Sequence, residues 1–226
     1  MITLEEAVNQ RHSIRSYTAD PIPQETVDNL RSFINQCNSV SNLNMHLVLD
    51  EPKAFGSLLF SYGMFKGVRN YLVLAGPQVD DLDYRLGYYG AQVMLRAKQL
   101  GLDSCWVGGT YHKIPSAFTL RPGDKVKSVI ALGFGNGKPV NHRIRQPHEV
   151  ADLRPDSPDW FVRGVDFALK APTAINQQKF HFALVDGKVK QTTGWGSFIQ
   201  MDLGIARYFF EIGAGDHPVD WERNIN

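Results

Sequence analysis

Apolar residues recur along this chain with two different periods, and the switches between them mark out its elements. Leu4, Ala7 and Val8 follow a Thr3-Leu4-Glu5-Glu6 capping box, so a first helix is expected to run to about His12. Pro23 suits a helix start, and Val27, Leu30, Phe33 and Ile34 share one face of a second helix up to about Cys37. Met45–Leu49 and Tyr71–Ala75 are short apolar runs bounded by polar, Gly or Pro residues, which predicts buried strands. Behind Asp81, the residues Leu82, Leu86, Tyr89, Val93, Ala97 and Leu100 keep the 3.6-residue period up to Gly101, which fits the left-handed position after a helix end. A strand Ser104–Val107, a short helix around Ile114–Phe118 and a strand Val126–Leu132 follow. The stretch from Gly133 to about Pro158 is irregular and too long for an idle turn. A helix opening at Ser157-Pro158, a hairpin of Lys179–Val185 and Val189–Thr192 around Asp186-Gly187, and a last helix over Phe198–Ile212 complete the pattern.

Composition narrows the classes. The 226 residues are 43% hydrophobic and 21% charged, as in an ordinary folded domain. Lys and Arg number 24 against 23 Asp and Glu, a net charge of +1, so there is no basic excess of the kind that tracks a nucleic-acid backbone. Cys37 and Cys105 lie far apart without a CxxC, which provides neither a disulfide framework nor a zinc site. The opening MITLEEAVNQ lacks a basic leader, and no apolar run approaches the ~18 residues of a membrane span. The expectation is a cytoplasmic protein with no membrane or nucleic-acid partner.

The usual catalytic signatures are missing. Gly133-Phe134-Gly135-Asn136-Gly137-Lys138 has the wrong glycine spacing for a phosphate loop, and Pro139 stands where Ser or Thr is needed. There is no HxxxH pair and no GxSxG elbow, so any chemistry is expected to belong to a cofactor. Arg11-His12-Ser13-Ile14-Arg15 places two guanidiniums beside a hydroxyl: either a solvated basic helix end or a site for one phosphate. Three further segments bear on that choice. Gly101–Gly109 (GLDSCWVGG) ends in a glycine pair that a planar ligand can approach closely; Asn141–Pro147 (NHRIRQP) repeats the paired arginines; Ala171–Gln178 (APTAINQQ) carries only small and amide side chains.

In this order the four segments resemble those of the nitroreductase family of FMN-dependent oxidoreductases, and the likeness extends from Leu4 to Gly213. The resemblance implies an α+β nitroreductase-like fold, with a mixed sheet flanked by helices. It implies that Arg11, Ser13, Arg15, Arg143 and Arg145 hold the FMN phosphate, with His12 contributing its backbone. Gly108 or Gly109 would offer a backbone amide toward flavin N5, and Pro172, Thr173, Ala174, Asn176 and Gln178 would contact the ring edge and ribityl chain. The other reading of Asn176 is a helix C-cap, and Trp106 reads as core or as a flavin-stacking ring. NAD(P)H would reduce the flavin, which would then pass electrons to a nitroaromatic, quinone or similar acceptor. The alternative is a flavin-binding sensor or carrier without turnover.

One departure from the family pattern shapes the domain expectation. The small-residue loop belongs after the second helix, but Asn38–Asn44 is degraded there and a good copy stands near Pro172. Phe33–Leu49 overlies Phe167–Ala183, and Gly90 and Gly101 overlie Gly204 and Gly215. Residues 151–226 therefore read as a shortened repeat of residues 1–150. Ordinary members build the FMN site across a homodimer; here one chain would form a pseudo-dimer with a single site, a monomer being favoured and a homodimer possible.

Overall fold

A computed structural model describes residues 1–56, 65–137 and 142–222. Helix α1 (Leu4–Gln10) starts at the expected capping box: the Glu6 amide donates to Thr3 Oγ1 at 3.1 Å and the Thr3 amide to Glu6 Oε2 at 2.7 Å. It ends at Gln10, before the expected His12, because Arg11 turns extended. Helix α2 (Gln24–Ser41) runs past Cys37 into the Asn/Ser stretch read as loop and stops at Asn42, whose φ of 54° is left-handed. The Asn38 side chain both donates to and accepts from the Met45 backbone at 2.9 Å, which ties that helix end to the chain returning toward the sheet.

Strands β1 (His46–Val48), β2 (Asn70–Pro77), β3 (Asp103–Val107) and β4 (Asp124–Gly133) form one sheet in the order β1-β2-β4-β3, each pair antiparallel. The sheet is thus antiparallel where a mixed one was expected, and parallel pairing is confined to isolated bridges of the N-terminal loop, Ser13 with Ser104 and Ser16 with Lys66. Both faces of β2 are covered, which explains its unbroken apolar run. Leu72 and Leu74 turn toward the helices, while Tyr71, Val73 and Ala75 turn to a second cluster with Ile14, Phe55 and Phe65. The short helix expected around Ile114–Phe118 is a 3-10 turn at Pro115–Ala117. Within the irregular stretch lies the short helix α4 (Pro147–Val150).

Helix α3 (Leu82–Gln99) crosses the sheet and packs against the last helix, α6 (Ile199–Ala214); α5 (Asp159–Ala168) lies on the other side of α6. The Asp81 side chain makes no capping bond and instead faces Arg85 at 3.6 Å. The hairpin of β5 (Phe180–Val185) and β6 (Lys188–Thr193) turns at Asp186-Gly187, with φ of 49° and 78°, and packs on α6. The α3–α6 crossing is reciprocal. A methyl group at Gly87 would stand 2.1 Å from the Met201 carbonyl oxygen, and one at Gly204 would stand 2.0 Å from the Tyr84 carbonyl oxygen. Each glycine thus meets the carbonyl three residues before the other. Gly90, which overlies Gly204 in the sequence repeat, lies outside this contact and receives the Trp106 ring.

Candidate functional site

The extended turn at Arg11 carries the chain along the edge of β3, where the Ile14 amide donates to the Ser104 carbonyl at 3.0 Å. Ile14 enters the core, while Arg11, His12, Ser13 and Arg15 face a cavity of about 1060 Å³. The opposite wall comes from the other end of the sequence, Leu169–Gln177 after α5 and Gly196–Asp202 at the start of α6. The end of β3 supplies the floor with Cys105, Trp106, Gly108 and Gly109. Nothing stands within 4 Å of the position a Cβ would take on Gly109, whereas at Gly108 the Phe198 ring lies 2.8 Å away. Trp106 packs against the core, where its indole donates to Ser128 Oγ at 3.1 Å, and it also lines the cavity.

All the residues expected at the site reach this cavity except Arg143, Arg145 and Gln178. In the irregular segment before Pro147 it is His142 and Ile144 that line the cavity, while Arg143 and Arg145 do not. Gln178, expected against the flavin, is 3% exposed and clamps that segment instead: its Nε2 donates to the Arg143 carbonyl at 2.9 Å and its Oε1 accepts from the Arg145 amide at 3.0 Å. Asn176 Nδ2 donates to the same Arg143 carbonyl at 2.8 Å. Asn141 and Lys138 lie outside the described residues. Gly135 packs on Asp103 and Ile14, away from the cavity.

The cavity has a strongly cationic end. Arg11 Nε is buried without a hydrogen-bond partner, and only the guanidinium Nη2 finds one, the Lys170 carbonyl at 3.2 Å. Burial pushes the Arg11 pKa down to about 10. Among the described residues, no carboxylate lies within ion-pair distance of Arg11 or Arg15. A guanidinium taken out of water without a counter-charge is costly, and a bound anion removes that cost. His12 is held below the usual imidazole range, first by burial and then by the Arg11 and Lys98 charges. Burial also pushes the Cys105 thiol up, against the pull of Arg15 and Arg11.

Sequence reasoning missed one group on the far wall. Asp202, in the first turn of α6, is buried and accepts from the Ala174 amide at 2.9 and 3.2 Å and from Gln177 Nε2 at 2.7 Å. Burial raises its carboxyl to about 6. An acid at a helix start is ordinarily explained by the macrodipole, which hides such a residue in a sequence. The available signal was its position as the lone charge in Phe198–Ala206. Among the described residues, no group of His, Cys, Asp and Glu could hold a metal ion, and no helix is long and apolar enough to cross a membrane.

Known proteins place this architecture. A crystal structure of a "putative nitroreductase" from Thermotoga maritima is similar over 94% of this chain and 83% of its own, with a TM-score of 0.68 at 19% identity. A "putative nitroreductase in complex with FMN" from Desulfovibrio desulfuricans matches 70% of this chain and 99% of its own, with a TM-score of 0.52 at 19% identity. Nitroreductase A from Vibrio parahaemolyticus matches 64% and 73%, with a TM-score of 0.51 at 17% identity. At these identities the likeness is one of fold, which is α+β and nitroreductase-like. No curated protein matches the chain. The family model described as "Putative TM nitroreductase" matches residues 3–214, and with nearly the whole sequence inside that match, from the capping box of α1 to the end of α6, the chain belongs to this nitroreductase family.

Proposed function

We propose that the chain is an FMN-dependent oxidoreductase that draws electrons from NAD(P)H and delivers them to nitroaromatic, quinone or related small acceptors. The observation that carries this reading is the Arg11 guanidinium, whose buried Nε has no hydrogen-bond partner among the described residues, beside Ser13 and Arg15 at the cationic end of a cavity whose other walls combine Gly108 and Gly109 with apolar side chains such as Trp106, Phe198 and Met201. That donor set fits FMN, with a dianionic phosphate at one end and a flat ring at the other. The neighbour crystallised with FMN adds fold-level support. FMN, when bound, supplies the hydride chemistry. The chain supplies the rest. Arg11, Ser13 and Arg15 bind the phosphate; Gly108 and Gly109 leave room for close backbone approach; Pro172, Thr173, Ala174 and Asn176 wall the ring end. Arg143 and Arg145 add positive field from behind that wall, with His142 in the lining position.

Residues 1–150 and 151–226 act as the two halves of a pseudo-dimer around one site. The reciprocal crossing of α3 and α6 supports this, since two equivalent helices crossing at a two-fold axis would contact each other in that manner. Mixing a variant carrying Arg11→Ala and Arg15→Ala with one altered at Thr173 and Asn176 is then expected to restore no FMN binding. Recovery of a quarter or more, as mass action allows for a shared site, would place the two walls in different subunits.

Turnover is tested without any acceptor. Anaerobic NADH or NADPH is expected to bleach the flavin absorbance of the FMN-loaded protein within the mixing experiment. Protein that keeps its oxidised spectrum under excess of both would be a flavin sensor or carrier.

A further inference from the structure

The turn after α5 is held in an unfavourable conformation. Ile175, Asn176 and Gln178 have φ of 46°, 57° and 44°, three left-handed residues within four positions, and one of them is β-branched. Ile175 is also 97% exposed, so packing does not hold it there. Backbone of this kind persists only where the surroundings over-determine it. Part of the restraint is local: Thr173 Oγ1 accepts from the Gln178 amide at 3.1 Å. The rest comes from Asp202, whose carboxylate takes the Ala174 amide and the Gln177 side chain at the two ends of the turn. Gln177 Nε2 also donates to the Ser197 carbonyl at 2.9 Å, tying the start of α6 into the same arrangement.

Two features make this more than a turn anchor. Asp202 is 5% exposed, and among the described residues no Lys, Arg or His lies within ion-pair distance of it. It also lines the cavity itself, on the wall opposite the arginines. A neutral amide could satisfy one of the donors without the cost of burying a charge. A buried carboxylate at this place therefore has an electrostatic consequence for whatever the cavity holds.

We propose that Asp202 is a positioning residue with a second effect on the bound flavin: it fixes the 174–178 turn as the wall of the ring end, and its charge favours oxidised over reduced FMN. The proposal rests on the FMN reading of the cavity. Reduced flavin carries more negative charge than oxidised flavin, so an anion in the same low-dielectric cavity penalises the reduced form selectively. The arginines at the other end act in the opposite sense, and the phosphate they would bind offsets their charge.

Asp202→Asn and Asp202→Ala test this, each first checked for a cooperative thermal transition. Dissociation constants are measured for oxidised FMN in air and for dithionite-reduced FMN under argon, and the midpoint potential by dye equilibration. The apo-proteins are probed by limited proteolysis across residues 171–180. For Asp202→Asn, binding of reduced FMN is expected to strengthen about tenfold relative to oxidised FMN, equivalent to a rise of about 30 mV in a two-electron potential. Asp202→Ala is expected to show the same bias and, in addition, an apo-protein cleaved in the turn at least about tenfold faster than wild type, because the Ala174 amide loses its acceptor and Gln177 keeps only the Ser197 carbonyl. Equal weakening for both redox forms, with the potential unchanged, would reduce Asp202 to a structural prop and overturn the proposal. So would an Asp202→Ala turn as protected as in wild type. Should the wild-type protein bind no FMN in either form, the FMN reading fails and the proposed bias with it, while the apo-protein proteolysis still decides whether Asp202 holds the turn.

Discussion

Replacing Arg11 and Arg15 together by alanine is expected to weaken FMN binding at least about 100-fold while weakening riboflavin binding less than about tenfold. Each charge-assisted hydrogen bond contributes about 1.5–3 kcal/mol, so two of them lost give about 3–6 kcal/mol, or 10²- to 10⁴-fold. Riboflavin has no phosphate, and its smaller loss reflects the one structural bond removed, from Arg11 Nη2 to the Lys170 carbonyl. The asymmetry has a second signature. The Arg11 guanidinium is desolvated without a counter-charge in the free protein, so a phosphate raises the melting temperature through it, and inorganic phosphate should stabilise wild type more than the double variant. Titration calorimetry with the two flavins is the decisive measurement. Equal losses for both would mean that these arginines do not meet the phosphate.

The other large effect concerns two glycines that touch no ligand. Gly87→Ala and Gly204→Ala are each expected to cost about 3 kcal/mol or more of folding stability, although alanine is the better helix former by about 1 kcal/mol. The added methyl would sit 2.1 or 2.0 Å from a backbone carbonyl oxygen, which cannot rotate away, so the two helices must separate by about an ångström along their contact. Gly194→Ala is the control, because its nearest neighbour is a Lys179 side-chain carbon at 4.0 Å. Urea denaturation should show the two helix variants displaced by similar amounts and the control hardly at all. Alanine tolerated at either position would show that α3 and α6 do not approach this closely.

These sites differ in how far a sequence reveals them. Local chemistry was legible: the Thr3–Glu6 capping box forms as read, Gly101 takes a left-handed φ of 86° after α3, and Asp186-Gly187 turns the hairpin. Each depends on residues a few positions apart. The cationic end of the cavity was legible for a similar reason, since Arg11, Ser13 and Arg15 face one cavity within a single short segment. Which side chains of residues 142–146 face the cavity was not, because the segment is held by Gln178 bonding to the Arg143 and Arg145 backbone across 35 and 33 positions. The extension of α2 through Asn38–Ser41 was hidden too, as polar residues that favour loops are overruled there by the pairing of the Asn38 side chain with the Met45 backbone. Asp202 was hidden in a different way. A helix-start acid has an ordinary explanation, and only the folded chain shows that it reaches back 28 positions to the Ala174 amide.

The helix crossing also sets a schedule for synthesis. Gly87 and Gly204 are 204 − 87 = 117 positions apart, so at roughly 5–20 residues per second the glycine face of α3 leaves the ribosome roughly 6–23 s before its mate exists. During that interval the neighbouring chain on the same message presents an identical uncovered face. An exchange in which α6 of one chain docks on α3 of another would preserve every contact at the crossing, at the expense of a single self-contained site.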